Sequence, residues 1–84
     1  MYVNTFYISK WYISNMELAK QIGDNLKEAR KFKNLTQKEV ASKLGMTQQQ
    51  YSRFENGVFE LNYTQIIFLC KLYEITPNEL FNID

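Results

Sequence analysis

The sequence predicts an all-α domain of five helices, and two observations carry that prediction. Capping signatures recur along the chain. Thr36 with Glu39, Thr47 with Gln50, and Thr76 with Pro77 and Glu79 are spaced to satisfy the free amides of a helix start. Apolar residues also recur at helical spacing, with Leu18, Ile22, Leu26 and Ala29 on one face.

In chain order, residues 1–15 (MYVNTFYISKWYISN) are rich in aromatic and β-branched residues whose clusters match neither helical nor strand periodicity. Three readings stay open for this extension. It is a strand or short helix packing on the domain or on a second subunit, a disordered arm, or upstream sequence before a start at Met16. A membrane-surface anchor is disfavoured because Lys10 is its only basic residue. Residues 16–84 are expected to form the domain proper. Helix 1 should run from Met16 or Glu17 to Lys33, with Asn34 as its left-handed end. Gly23 inside it costs roughly 1 kcal/mol against Ala. Helix 2 is expected over Gln37–Leu44, with Gly45 after it. Helix 3 is expected over Gln48–Asn56, with Gly57 as its stop. Helix 4 should start after Asn62 and run through Tyr73. Helix 5 should be capped by Thr76 and anchored by Leu80 and Phe81.

The segment from about 37 to 56 is two short capped helices joined by a tight turn, a helix-turn-helix. It resembles the lambda-repressor-like (Cro/repressor-type, xenobiotic-response-element) helix-turn-helix family. The resemblance rests on Thr36-Gln37, Ala41, Leu44-Gly45, the helix led by Thr47, and Glu55-Asn56-Gly57, and it extends from about Ile22 to Phe81. It implies a DNA-binding regulator whose helix 3 enters the major groove. It also implies base contacts at Gln48, Gln49 and Arg53, a phosphate contact at Gln37, and a structural ion pair between Arg30 and Glu55.

A helical wheel of helix 3 agrees. Tyr51 and Phe54 define the inward side, and Gln49, Ser52, Arg53 and Asn56 lie opposite. Gln48 sits in the exposed first turn, while Gln50 falls back toward the core as a cap. A Gln amide matches adenine N6 and N7, and Arg gives a bidentate pair to guanine O6 and N7. The expected base readers are therefore Gln48, Gln49, Ser52 and Arg53. Phosphate contacts are expected from Gln37 and Asn56, with Lys38 and Lys43 adding charge. Tyr51, whose hydroxyl needs a partner, is expected to reach the DNA backbone. Phe68, Leu72 and Phe59 add apolar surface beyond a sufficient core face, and a second subunit or the N-terminal segment is expected to cover them.

Composition sets the remaining bounds. Eighty-four residues make one small domain. No apolar run approaches the roughly eighteen residues of a membrane span, and no secretory signal is evident. One Cys without a disulfide framework fits a reducing cytoplasm, and the family resemblance implies a bacterial or phage-encoded protein. Net charge is +1, but residues 16–55 carry +3 and residues 56–84 carry −3, so positive charge lies with the motif. The chain has no His, no Gly-rich phosphate loop and no metal-ligand spacing, so neither an enzyme nor a cofactor is expected. The expected function is sequence-specific binding of double-stranded DNA by a homodimeric repressor on a palindromic operator. The alternative is a protein-interaction module, such as an antitoxin, whose main partner is another protein.

Overall fold

A computed structural model describes the backbone of residues 5–83 and the side chains of residues 17–83. Five helices follow in order: α1 (Thr5–Phe32), α2 (Gln37–Leu44), α3 (Gln48–Glu55), α4 (Tyr63–Tyr73) and α5 (Pro77–Phe81). The clearest departure from expectation is the start of α1, which lies at Thr5 rather than near Met16. No Gly or Pro stands between Thr5 and Met16 to break a helix. A strand over this segment is therefore ruled out. What its side chains pack against lies outside the described residues.

Local chemistry fixes the other helix starts. Thr36, Thr47, Asn62 and Thr76 each accept from the amide three residues on, and Glu39, Gln50, Gln65 and Glu79 each reach back to the cap amide. The Asn62–Gln65 box adds to the three legible from Thr caps. Caps of this kind contribute about 1 kcal/mol each. That matters for α2 and α3, which at 8 residues are too short to persist alone. Asn34 ends α1 at φ 57° as expected, and Glu74 ends α4 in the same left-handed region at φ 56°.

The core gathers Leu26 of α1, Val40 and Ala41 of α2, Tyr51 and Phe54 of α3, Leu69 and Tyr73 of α4, and Leu80 of α5. The expected apolar face of α1 is only partly buried. Leu26 is fully enclosed, Ile22 and Ala29 are half-buried, and Leu18 is exposed. The Asn25 amide donates to the Leu80 carbonyl at 2.9 Å, tying α1 to α5.

Two glycines bring α1 against the end of α3. A Cβ at Gly23 would stand 2.7 Å from the Phe54 carbonyl oxygen and closer still to that of Glu55. A Cβ at Gly57 would stand 2.8 Å from Lys20 Cα, and Gly57 also has φ +73°. Backbone thus lies against backbone, with no flexible side chain able to yield. Helix propensity alone would favour Gly23→Ala by about 1 kcal/mol, but overpacking typically costs about 1–3 kcal/mol. We expect Gly23→Ala to lower the urea midpoint at unchanged m-value; a raised midpoint would show that α1 and α3 do not meet this closely.

Candidate nucleic-acid interface

The turn between α2 and α3 is set by Gly45 in the left-handed region at φ 70°, followed by the Thr47 cap. This angle determines which side of α3 faces out. Tyr51, Phe54 and Glu55 are buried, while Gln48, Gln49, Arg53 and Asn56 are exposed. Gln50 accepts from the Thr47 amide at 2.9 Å, so the three consecutive glutamines divide into two outward residues and one cap. Ser52 is half-buried, and its hydroxyl donates to the Gln49 carbonyl at 2.9 Å. It therefore faces outward mainly as an acceptor.

Beneath this surface lies a buried ion pair. Arg30 Nε donates to Glu55 Oε2 at 2.7 Å, and Arg30 Nη2 donates to Glu55 Oε1 at 3.2 Å. Arg30 Nη1 donates to the Leu35 carbonyl at 2.9 Å. The Gln37 amide donates to Glu55 Oε1 at 3.0 Å, and its own oxygen faces the Gln48 amide at a long 3.5 Å. Gln37 thus lies at the start of α2 as expected, but its amide is already oriented by Glu55. Burial alone would raise the Glu55 carboxyl. Hydrogen bonds from Arg30 and Gln37, with the Arg30 charge, more than reverse that and hold it below its ordinary 4.5. The hydrogen bond to Glu55 raises Arg30 despite burial.

The assignment of Tyr51 to the DNA backbone is corrected. Its residue is fully buried, and its hydroxyl lies 2.6 Å from that of Tyr73, which is also buried. The polar tip therefore finds its partner inside the core. Burial raises both phenols, Tyr73 to about 12, so both are neutral at physiological pH. No feature of the α3 sequence pointed to Tyr73; the signal was a Tyr on the inner face of each of two helices. Lys38 and Lys43 are exposed on α2, and Asn56 is exposed at the end of α3.

Arg53 does not stand alone on its face. Its guanidinium lies 5.4 Å from the ring centroid of Phe59, a residue beyond α3. Phe59 meets Phe54 edge-on, with centroids 6.5 Å apart. Phe68 remains 37% exposed and Leu72 half-buried on α4, and Ile67 beside them is 54% exposed. An apolar groove of about 240 Å³ runs between α1 and the α3–α4 loop, lined by Leu18, Ile22, Phe59, Leu61 and Phe81 among others.

A helix-turn-helix domain family matches residues 23–83. Over 57 residues the chain is 38% identical to the uncharacterized HTH-type transcriptional regulator YqaE of Bacillus subtilis, covering 68% of this chain and 49% of that protein. Over 63 residues it is 34% identical to the antitoxin PezA of Streptococcus pneumoniae, covering 75% of this chain and 40% of that protein. The chain thus spans half or less of the length of these relatives. The crystal structure of the DNA-binding domain of BldD is similar at a TM-score of 0.67 and 24% identity, covering 77% of this chain and 94% of that one, a likeness of fold.

The ion pair gives a prediction with a definite pH sense. The folded state holds Glu55 below its ordinary 4.5, so the unfolded chain takes up that proton first. The stability Glu55 contributes is therefore present above that value and lost as pH falls beneath it. Glu55→Gln strands Arg30 as an unpaired buried charge and should cost about 3–5 kcal/mol at neutral pH. Urea titrations across the acid range should also show a shallower loss of stability than in wild type. Equal acid slopes would show that Glu55 is not held ionised by this network.

Proposed function

This chain belongs to the helix-turn-helix domain family, and from that membership we propose that it binds double-stranded DNA in a sequence-specific manner as a homodimeric transcriptional repressor. The observation that carries the proposal is the outer face of α3, where Gln48, Gln49 and Arg53 stand exposed on one capped helix. These side chains supply the donors and acceptors that adenine and guanine edges complement in the major groove. Ser52 adds an acceptor beside them. Gln37, Asn56, Lys38 and Lys43 flank that face and act on phosphates, fixing register without reading sequence. Residues 16–84 form the binding domain, and residues 1–15 extend from it. The site of action is the bacterial cytoplasm.

Homodimerisation is supported by the apolar surface at Phe68 and Leu72, which a second copy would cover. With a two-fold axis, the half-sites of a palindromic operator lie about one helical turn apart, roughly 34 Å. A second reading is favoured by the likeness to an antitoxin and by the same apolar surface. In it the principal partner is another protein, and DNA binding is secondary. Neither reading calls for catalysis or a cofactor.

Selection from a random duplex pool tests the first reading. Wild type should enrich an inverted repeat. Gln49→Ala/Arg53→Ala should not, since each lost bidentate contact removes about 1–3 kcal/mol of discrimination. Enrichment of no sequence at low salt, where phosphate contacts are strongest, would refute the proposal and move attention to a protein partner.

A further inference from the structure

Phe59 lies outside the recognition helix, yet two sets of contacts hold it against that helix. The amides of Val58 and Phe59 donate to the Arg53 carbonyl at 2.9 Å and 3.3 Å, folding the loop back on the last turn of α3. The ring rests edge-on against Phe54, which packs edge-on against the buried Tyr51, each pair with centroids 6.5 Å apart. The ring is thus braced by the core, while 49% of the residue stays exposed. Above it, 5.4 Å from the centroid, sits the Arg53 guanidinium.

Arginine is a long side chain that loses much rotamer freedom when a partner immobilises it. A cation–π contact uses no hydrogen-bond acceptor, so a guanidinium held over a ring keeps N–H groups free for a bidentate pair. The contact therefore restrains the side chain without consuming the donors that guanine recognition needs. No acidic side chain makes a salt bridge with Arg53 among the described residues, so nothing ionic competes with this placement.

We infer that Phe59 is a positioning residue for base recognition: through its cation–π contact it fixes the Arg53 guanidinium before DNA arrives and so sets specificity at the base pair Arg53 reads. The inference rests on the reading of α3 as the DNA-reading helix. It separates Phe59 from Phe68 and Leu72, with which composition alone had grouped it as surface awaiting a cover.

The test uses the full chain and the duplex it selects. Affinity is measured for that duplex and for one in which the guanine pair opposite Arg53 is replaced, and the ratio of the two is the readout. Phe59→Leu should shrink the ratio about two- to fivefold, the scale of an exposed cation–π contact. Phe59→Tyr, which keeps the ring, should preserve it. In an Arg53→Ala background, Phe59→Leu should change nothing further. Simple destabilisation would lower both affinities together, leaving the ratio intact, and thermal unfolding of each variant monitors it. Equal losses on both duplexes, an additive loss in the double variant, or tighter binding by Phe59→Leu would each overturn the inference. If wild type selects no duplex at all, the DNA-binding reading fails and this inference with it. If wild type selects a site and Phe59→Leu leaves the ratio unchanged, the inference alone fails.

Discussion

The fold turns on the buried contact between Arg30 and Glu55. A carboxylate buried near the end of α3 must be neutralised or paired, and the groups that pair it come from two other helices. Arg30 arrives from the last turn of α1 and Gln37 from the first turn of α2. Buried pairs seldom stabilise a protein more than apolar residues of the same shape would. The consequence here is positional. Glu55 is satisfied only when α1, α2 and α3 meet at one angle, and that angle sets which face of α3 looks outward.

The glycines act on the same junction from the backbone side. Without a Cβ at Gly23, α1 reaches the carbonyls at the end of α3, and without one at Gly57 the chain leaving α3 passes close to Lys20. The ion pair needs this proximity, and the proximity would be intolerable without the glycines. A favourable helix former at Gly23 and a close α1–α3 approach are alternatives, and the sequence resolves them toward approach. A second polar contact, between the Tyr51 and Tyr73 hydroxyls, ties the same helix to α4. Thus α3 is fixed on its inner side by groups from three neighbours.

Much of this was legible in the residues because caps are local. Thr36 with Glu39 and Thr47 with Gln50 place the starts of α2 and α3 to the residue, since the partners of each hydrogen bond lie three positions apart. The split of Gln48, Gln49 and Gln50 into outward residues and a cap followed from 100° per residue alone. What was not legible depends on residues distant in sequence. The sequence points the Tyr51 hydroxyl at the DNA backbone because a phenol needs a partner, and the partner 22 positions later is invisible to any local pattern. The Phe59 ring over Arg53 escaped notice for a different reason. Its placement depends on how an irregular loop folds back on α3, and loops carry no periodicity. The start of α1 at Thr5 is hidden because the apolar clusters of residues 1–15 match no helical period, while no Gly or Pro stands between Thr5 and Met16 to break the helix.

These contacts divide the exposed face of α3 unequally. Gln48 leans on Gln37, itself held by Glu55, and Arg53 leans on Phe59, itself held by Phe54. Arg53 is thereby tied to the core, while Gln48 reaches Gln37 only at a long 3.5 Å. Gln49, between them, makes no side-chain hydrogen bond among the described residues, although its carbonyl takes the Ser52 hydroxyl. A restrained side chain loses little freedom on meeting a partner, but it meets only partners of matching geometry; a free one loses more and adapts. The same face therefore combines one placed group, Arg53, with the more adjustable Gln48 and Gln49. On the proposed reading of α3, substitution of Phe59 acts on DNA binding through Arg53, whereas Gln37 acts both through Gln48 and through its own phosphate contact.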